Sequence, residues 1–340
     1  MNRIFWVDCA RFVAILMVVL THAHEQSNVS NETMKSLLYC FDRIGVPIFF
    51  MLSGGLILPK IHSIPVLSFY RKRIPQFIIL LVTYSVLSNT VHGVTNGEGL
   101  LAAFTSSVIK YNGIYPANYG VAVQLWFMYS IIQLYLIAPF LSRLISKLET
   151  SDIIILLLLC VLFSFIKHTI LVADPDWKVL IRMGDDFTGP YIAYFLTGYL
   201  IMNREWDLHG MLKNKIFNIM LLITPVVIVM SIEQEHGKMI HAFHWYTSSF
   251  FIYVSSVGVI CLIKVVCEGK NNKVISTLGE YSFGIYLIHF VFISFALLLS
   301  TLAEMNWVWS TVTLFIIPLG LSAIYTHLMF KTRLTKYMVS

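Results

Sequence analysis

The sequence has little charge for its length, and this scarcity excludes most classes of soluble protein. Only 12% of its 340 residues are charged and 57% are hydrophobic, whereas a soluble domain has about 25% charged and about 45–50% apolar residues. The mean hydropathy is +0.76. The net charge of +6 does not indicate nucleic-acid binding, because the basic residues lie beside apolar segments. The composition therefore predicts a polytopic membrane protein.

Cysteine is also scarce, and its placement excludes a disulfide framework or a redox centre. The five cysteines lie in or at the ends of apolar segments, without the spacing of a metal or redox motif. We interpret them as small packing residues and expect no bound metal. A small-residue cleavage site is lacking after the first apolar segment, which predicts a retained helix and not a removed signal peptide.

Long apolar runs dominate the chain and define its fold class. Lysine and arginine are concentrated in alternate loops, which predicts that both termini are cytoplasmic. The sequence has no internal repeat and no room for a second soluble domain, so residues 1–340 are predicted to form one integral-membrane domain. The predicted fold is an all-α polytopic membrane protein with about ten transmembrane helices, near 5–22, 37–58, 74–91, 123–142, 153–172, 187–202, 216–232, 243–265, 279–301 and 307–330.

The first apolar segment carries three polar residues that a simple membrane anchor would not contain. Asp8, Arg11 and His22 lie within it, and Asp8 is one helical turn from Arg11, where the two can form an ion pair. The spacing from Arg11 to His22 is about three turns, so both side chains point the same way with about 16 Å of rise between them. Because charges in a membrane are costly, this stripe predicts a functional site. The alternative is an ion pair that holds the helix to a neighbour.

The pattern Asp8-x2-Arg11-x10-His22 resembles the signature of the acyltransferase 3 family, bacterial integral-membrane O-acyltransferases. Further stretches resemble family motifs in the same order along the chain: Gly45–Gly54, Phe69–Arg73, Leu125–Phe127 followed by Tyr135 and Pro139, Tyr194–Tyr199 and Leu278–His289. The family often has glycine where this chain has Phe12, which narrows the space beside Arg11.

The resemblance implies an enzyme of the bacterial inner membrane with ten helices and a defined reaction. Such an enzyme would transfer an acetyl group from cytoplasmic acetyl-CoA to a hydroxyl of a cell-surface glycan or glycolipid, such as lipopolysaccharide O-antigen. His22 and Arg11 then form the essential pair. A histidine is the usual base for a sugar hydroxyl at neutral pH, and Arg11 would bind the donor or stabilise negative charge. Asp8 would hold Arg11 in place.

The donor site implied by the resemblance is the basic cluster Arg71, Lys72 and Arg73. The family has a cytoplasmic Arg-x-x-Arg motif at this place. Here its first arginine is Arg73, and its second arginine is replaced by Gln76. For binding the phosphates of CoA, positive charge matters more than a particular arrangement of the cations. Arg71 and Lys72 can therefore replace the missing arginine. The alternative interpretation is that these residues only anchor the helix on the cytoplasmic side.

The acceptor is predicted to contact a second group of polar and aromatic residues. Ser282, Tyr286 and His289 share one face of the ninth predicted helix because their spacings are four and three. Gln124 replaces a histidine of the family and precedes Trp126. A second hypothesis is that three tyrosines stack on sugar rings: Tyr111, Tyr115 and Tyr119. The alternatives are helix packing for His289 and ordinary membrane-interface placement for the aromatic residues.

Two other classes of membrane protein remain open from the residues alone. A transporter or flippase for a lipid-linked glycan or a small solute would also have ten helices and buried charges. Such proteins commonly contain inverted repeats with broken helices, which this sequence lacks. A receptor or structural membrane protein would leave the Arg11 and His22 stripe unexplained.

Overall fold

The computed structural model describes residues 4–109, 122–182, 190–204, 206 and 210–339, and all regular structure in these ranges is helical. The helices are α1 (Phe5–Gln26), α2 (Glu32–Asp42), α3 (Gly45–Ile61), α4 (Val66–Thr95), α5 (Leu100–Ile109), α6 (Trp126–Ile145), α7 (Thr150–Val161), α8 (Lys167–Ala173), α9 (Lys178–Arg182), α10 (Pro190–Asn203), α11 (Lys215–His236), α12 (Phe250–Cys267), α13 (Lys273–Leu302), α14 (Trp307–Met329) and α15 (Arg333–Tyr337). This confirms the predicted all-α class.

Nine helical segments of the described chain are long and apolar enough to cross a membrane. They coincide with nine of the ten predicted spans, and the chain is a multi-pass membrane protein. The remaining predicted span, 187–202, corresponds to α10, of which the structure describes 14 residues, fewer than the about 20 that span a bilayer. Part of that predicted span, 187–189, lies outside the described residues.

Several helix boundaries differ from those predicted because capping and continuity are local effects that hydropathy does not report. The predicted span 243–265 begins with a short 3₁₀ helix, His241–His244. Its α-helix begins only at Phe250, where the Ser249 side chain accepts a hydrogen bond from the Ile252 amide. In contrast, α4 begins at Val66 and therefore includes the basic residues expected to precede the span. Asparagine caps begin α2, α11 and α14. Each such cap is worth about 1 kcal/mol.

The chain divides into two compact units. The first contains Met1–Met17, Asn31–Pro65 and Leu136–Ser276, and the second contains Val18–Ser30, Val66–Tyr135 and Thr277–Ser340. The first part of α1 thus belongs to one unit and its last turns belong to the other. The interpretation of residues 1–340 as one acyltransferase domain stays a prediction.

Within the first unit, α3 and α10 pack with almost no space between their backbones. A Cβ atom added to Gly54 would overlap the carbonyl oxygen of Phe195, and one added to Gly198 would overlap that of Met51. The Asn203 side chain also donates a hydrogen bond of 2.8 Å to the carbonyl oxygen of Gly55. The small residues of the Ser53-Gly54-Gly55 sequence thus allow the two helices to approach closely.

Within the second unit, the last turns of α1 pack on α13 and α14 through a small apolar core. Its buried members are Ala23, Phe290, Ile293, Ala296 and Leu314. A hydrogen bond of 2.6 Å joins the hydroxyls of Ser27 and Thr311 beside this core. This packing fixes the rotation of α1 and therefore decides what His22 contacts.

Candidate active site

The two histidines predicted from separate motifs lie against each other in the second unit. The rings of His22 on α1 and His289 on α13 are stacked with centroids 5.4 Å apart and an interplanar angle of 29°. Phe290 meets the His22 ring edge-on at 5.3 Å. His289 is fully buried, whereas the His22 side chain is 13% exposed. The structure thus joins two positions 267 residues apart into one site.

The His22 ring is held by a residue that the sequence interpretation missed. Nδ1 of His22 lies 3.1 Å from Oε2 of Glu25, one helical turn further along α1. A proton on Nδ1 satisfies this contact, and Nε2 then carries the lone pair. Within the described part of the chain, Nε2 has no hydrogen-bond partner. The i, i+3 spacing from His22 was the available signal for Glu25, because residues three apart on a helix are neighbours.

His289 is fixed in the same sense by the backbone of its own helix. Its Nδ1 lies 2.7 Å from the carbonyl oxygen of Tyr286 and 3.2 Å from that of Ile285. Carbonyl oxygens only accept hydrogen bonds, so Nδ1 must be the protonated nitrogen and Nε2 carries the lone pair. This buried Nε2 atom has no partner among the described residues. His289 therefore presents a buried acceptor that a bound hydroxyl can satisfy.

The site extends to Tyr286, on α13, and to Gln124, just before α6. The hydroxyl of Tyr286 donates a hydrogen bond of 2.8 Å to the backbone carbonyl of Gln124. The Gln124 side chain is buried, and neither its oxygen nor its nitrogen finds a partner in the described ranges. A buried polar group without a partner costs about 1–3 kcal/mol. Its amide and the free nitrogen of His289 are suited to a polar ligand that both donates and accepts.

The other predicted acceptor residues lie near this group with less direct contacts. Ser282 is buried one turn before Tyr286 on α13. Trp126 is half-buried and meets the ring of Phe127 edge-on at 6.2 Å. Phe127 in turn packs on Tyr286 at 5.3 Å. The tyrosines proposed to stack on sugar rings lie outside the described residues: Tyr111, Tyr115 and Tyr119.

Asp8 and Arg11 belong to the first unit, where the structure confirms their predicted pairing. Nη1 of Arg11 lies 3.5 Å from Oδ1 of Asp8, and the arginine side chain is 36% exposed whereas the carboxylate is 2% exposed. A buried carboxylate beside a partly exposed guanidinium both orients the arginine and compensates its charge. The Arg11 side chain is therefore held in position and still accessible.

The basic cluster Arg71, Lys72 and Arg73 lies in the second unit, near the start of α4, and all three residues are exposed. Gln76, one turn later, donates a hydrogen bond of 3.3 Å to the backbone carbonyl of Tyr337. The glutamine that replaces a family arginine thus contacts the C-terminal segment. The three remaining cations are accessible to a phosphorylated ligand from solvent.

A family model described as an acyltransferase domain matches residues 4–327, a range that contains every residue of the site described above. No curated protein and no solved structure matches the chain.

Proposed function

Because this multi-pass membrane chain belongs to the acyltransferase 3 family, we propose that it is a membrane O-acetyltransferase that uses acetyl-CoA. The acceptor is a hydroxyl of a cell-surface glycan or glycolipid, such as lipopolysaccharide O-antigen, and the enzyme works in the inner membrane of a bacterium. The observation that carries this proposal is the stacked pair of His22 and His289. Tyr286 connects His289 to Gln124, whose buried amide has no partner among the described residues. Such a site favours a polyhydroxylated acceptor.

In the proposed mechanism, His22 is the general base. Its Nε2 atom takes the proton of the acceptor hydroxyl while the oxygen attacks the thioester carbonyl carbon of the donor. The tetrahedral intermediate then collapses, the carbon–sulfur bond breaks, and the proton held by His22 passes to the leaving thiolate. The products are an acetyl ester and free CoA, and the histidine returns to its neutral form.

Glu25 is a positioning residue in this mechanism. Its carboxylate faces Nδ1 of His22, keeps Nε2 as the basic nitrogen and stabilises the imidazolium that forms during proton transfer. This is the role that the acid plays in a Ser-His-Asp triad. The acceptor hydroxyl is oriented by two groups that have no partner among the described residues, His289 Nε2 and the Gln124 amide. Tyr286, Ser282 and Trp126 are proposed to contact the acceptor as well.

The donor is proposed to bind through positive charge. Arg71, Lys72 and Arg73 are accessible to the CoA phosphates. Arg11, held by Asp8, is proposed to bind the donor or to stabilise the oxyanion of the tetrahedral intermediate. This assignment rests on the family resemblance and on the partial exposure of the Arg11 side chain.

The test is acetyl transfer by the purified full-length protein in lipid vesicles. Vesicles that carry a mixed lipid-linked glycan extract receive acetyl-CoA labelled in the acetyl group, and labelled ester and free CoA are measured. The wild-type protein should transfer or hydrolyse the label, and H22A should do neither. A wild-type protein that moves glycans across the bilayer but leaves acetyl-CoA intact would overturn the proposal in favour of a flippase.

A further inference from the structure

A cavity of about 370 Å³ lies in the first unit, between α2, the end of α11 and the residues that follow α11. Its volume is at the lower end of the about 300–1,000 Å³ of small-molecule sites. None of the residues assigned to acyl transfer lines it. Its floor contains Ser36, Glu233 and Met239, which are buried, and most of its other lining residues are exposed, so it opens at the surface.

The floor of the cavity is a fixed hydrogen-bond network. Glu233 accepts from three donors: the Ser36 hydroxyl on Oε2, the Ile240 amide at 2.7 Å on Oε1, and Nε2 of His244 at 2.8 Å, also on Oε1. A carboxylate has about four acceptor positions. Three donors hold the group rigidly and leave one position for a ligand.

The order of contacts in this network supports binding and not nucleophilic catalysis. A catalytic triad places the acid and the nucleophile on opposite nitrogens of the histidine. Here the Ser36 hydroxyl lies 3.3 Å from His244 Nε2, the same nitrogen that meets Glu233. The opposite nitrogen, Nδ1, faces the sulfur of Cys40 at 3.7 Å, and Cys40 is buried in an apolar cluster.

The lining of the cavity favours a neutral ligand rich in hydroxyl groups. The carboxylates of Glu32 and Glu233 repel anions, and the Lys238 ammonium repels cations. Thr33 and Gln234 both donate and accept hydrogen bonds. Met230 and Met239 add apolar surface to the lining. A pyranose ring has this combination of hydroxyl edges and apolar faces.

We propose that this cavity binds one sugar ring of the acceptor glycan. That the sugar belongs to the acceptor glycan rests on the proposed function, whereas binding of a sugar by the cavity does not require acyl transfer. The cavity holds a sugar unit other than the one that is acetylated. Acceptors with several sugar units then bind more tightly than single sugars, because the extra ring adds contacts that do not take part in the reaction.

Sugar binding can be measured without turnover. In the full-length protein, T33C places a thiol on the rim of the cavity, and M34C places one on the neighbouring exposed position outside it. Maleimide labelling is followed with and without methyl pyranosides of glucose, galactose, mannose and N-acetylglucosamine. At least one sugar should slow labelling of T33C about tenfold, the effect of roughly nine-tenths occupancy, and should leave M34C unchanged. Absence of protection by all four, or protection by choline or phosphate instead, would overturn the proposal.

A kinetic measurement separates this inference from the acyl-transfer proposal. Q234A should raise KM for an oligosaccharide acceptor and leave KM for acetyl-CoA unchanged, whereas the exposed neighbour substitution E235A should change neither. An unchanged acceptor KM in Q234A would show that the bound sugar is not part of the acceptor. The KM values of Q234A and E235A do not depend on which residue is the catalytic base. The sugar-site proposal can therefore be wrong while the protein still transfers acetyl groups.

Discussion

At the scale of single residues, the site depends on which nitrogen of each histidine is free. Glu25 occupies Nδ1 of His22, and backbone carbonyls occupy Nδ1 of His289. Both rings therefore have Nε2 available, and they lie face to face. One can accept a proton from a hydroxyl while the other orients it. This division of roles makes separate predictions for His22 and Glu25.

Replacement of the proposed base should abolish most acetyl transfer. H22A is expected to lower kcat by about 10²–10⁴-fold, the usual contribution of a general base, while expression and membrane insertion remain normal because alanine inserts readily in lipid. The measurement is labelled acetyl transfer by purified protein. H62A, which removes an exposed histidine bound to the Pro59 carbonyl, is the matched control and should keep full activity. Full activity of H22A would remove His22 from the mechanism.

Replacement of Glu25 should impair the reaction without weakening binding. E25A is expected to lower kcat about tenfold or more, since Nδ1 loses the acceptor that fixes the ring, with KM for donor and acceptor unchanged. E25D, which retains the carboxylate, should recover part of the rate. A merely structural role would instead give equal losses in E25A and E25D together with lower yields of folded protein.

At the scale of helices, the backbones of α3 and α10 are in direct contact at Gly54 and Gly198, where a side chain would not fit. G198A is expected to destabilise the protein by about 1–3 kcal/mol, because the added methyl group overlaps the Met51 carbonyl and forces the helices apart. G320A is the matched control, since an added Cβ at Gly320 meets nothing within 4 Å. It should be neutral or stabilising by up to about 1 kcal/mol through helix propensity. Thermal unfolding in detergent measures both, and equal stability of the two variants would contradict the packing argument.

Substitutions near the start of α4 distinguish a donor-binding role of the basic cluster from a role as a topological anchor. R71Q combined with K72Q should weaken acetyl-CoA binding by about 1–3 kcal/mol if these are charge-assisted contacts, with little effect on the acceptor. The experiment measures KM for acetyl-CoA after correct insertion has been verified. K147Q combined with K215Q removes the same charge from other exposed positions and should leave KM unchanged. An unchanged KM in the R71Q and K72Q variant would favour the anchor interpretation.

At the scale of the whole molecule, the prediction concerns topology. Single cysteines at Lys60 and Lys336 should be labelled from the cytoplasm, and those at Glu98 and Asp176 from the outside, because the basic residues cluster on one side of the predicted spans. Membrane-impermeant maleimide applied to intact cells and to inverted vesicles measures this. Labelling of positions 60 and 98 from the same side would contradict the ten-helix arrangement and the separation of donor from acceptor.

The sequence by itself determined the features that arise from neighbours along one helix. Apolar runs of about twenty residues must cross the bilayer, so the fold class and nine of its spans followed from hydropathy. The Asp8 and Arg11 pair followed from a spacing of three. Glu25 was accessible by the same spacing, but an isolated His-x2-Glu pattern carries no indication that the histidine faces a site.

Only the tertiary structure decided which helices meet. Each apolar helix is equally compatible with lipid on any side, so hydropathy does not encode its neighbours. The stacking of His22 on His289, the Tyr286 contact with Gln124, and the network of Ser36, Glu233 and His244 all join residues from different helices or turns. They depend on close packing of small residues and apolar cores, whose fit is a property of the assembled chain.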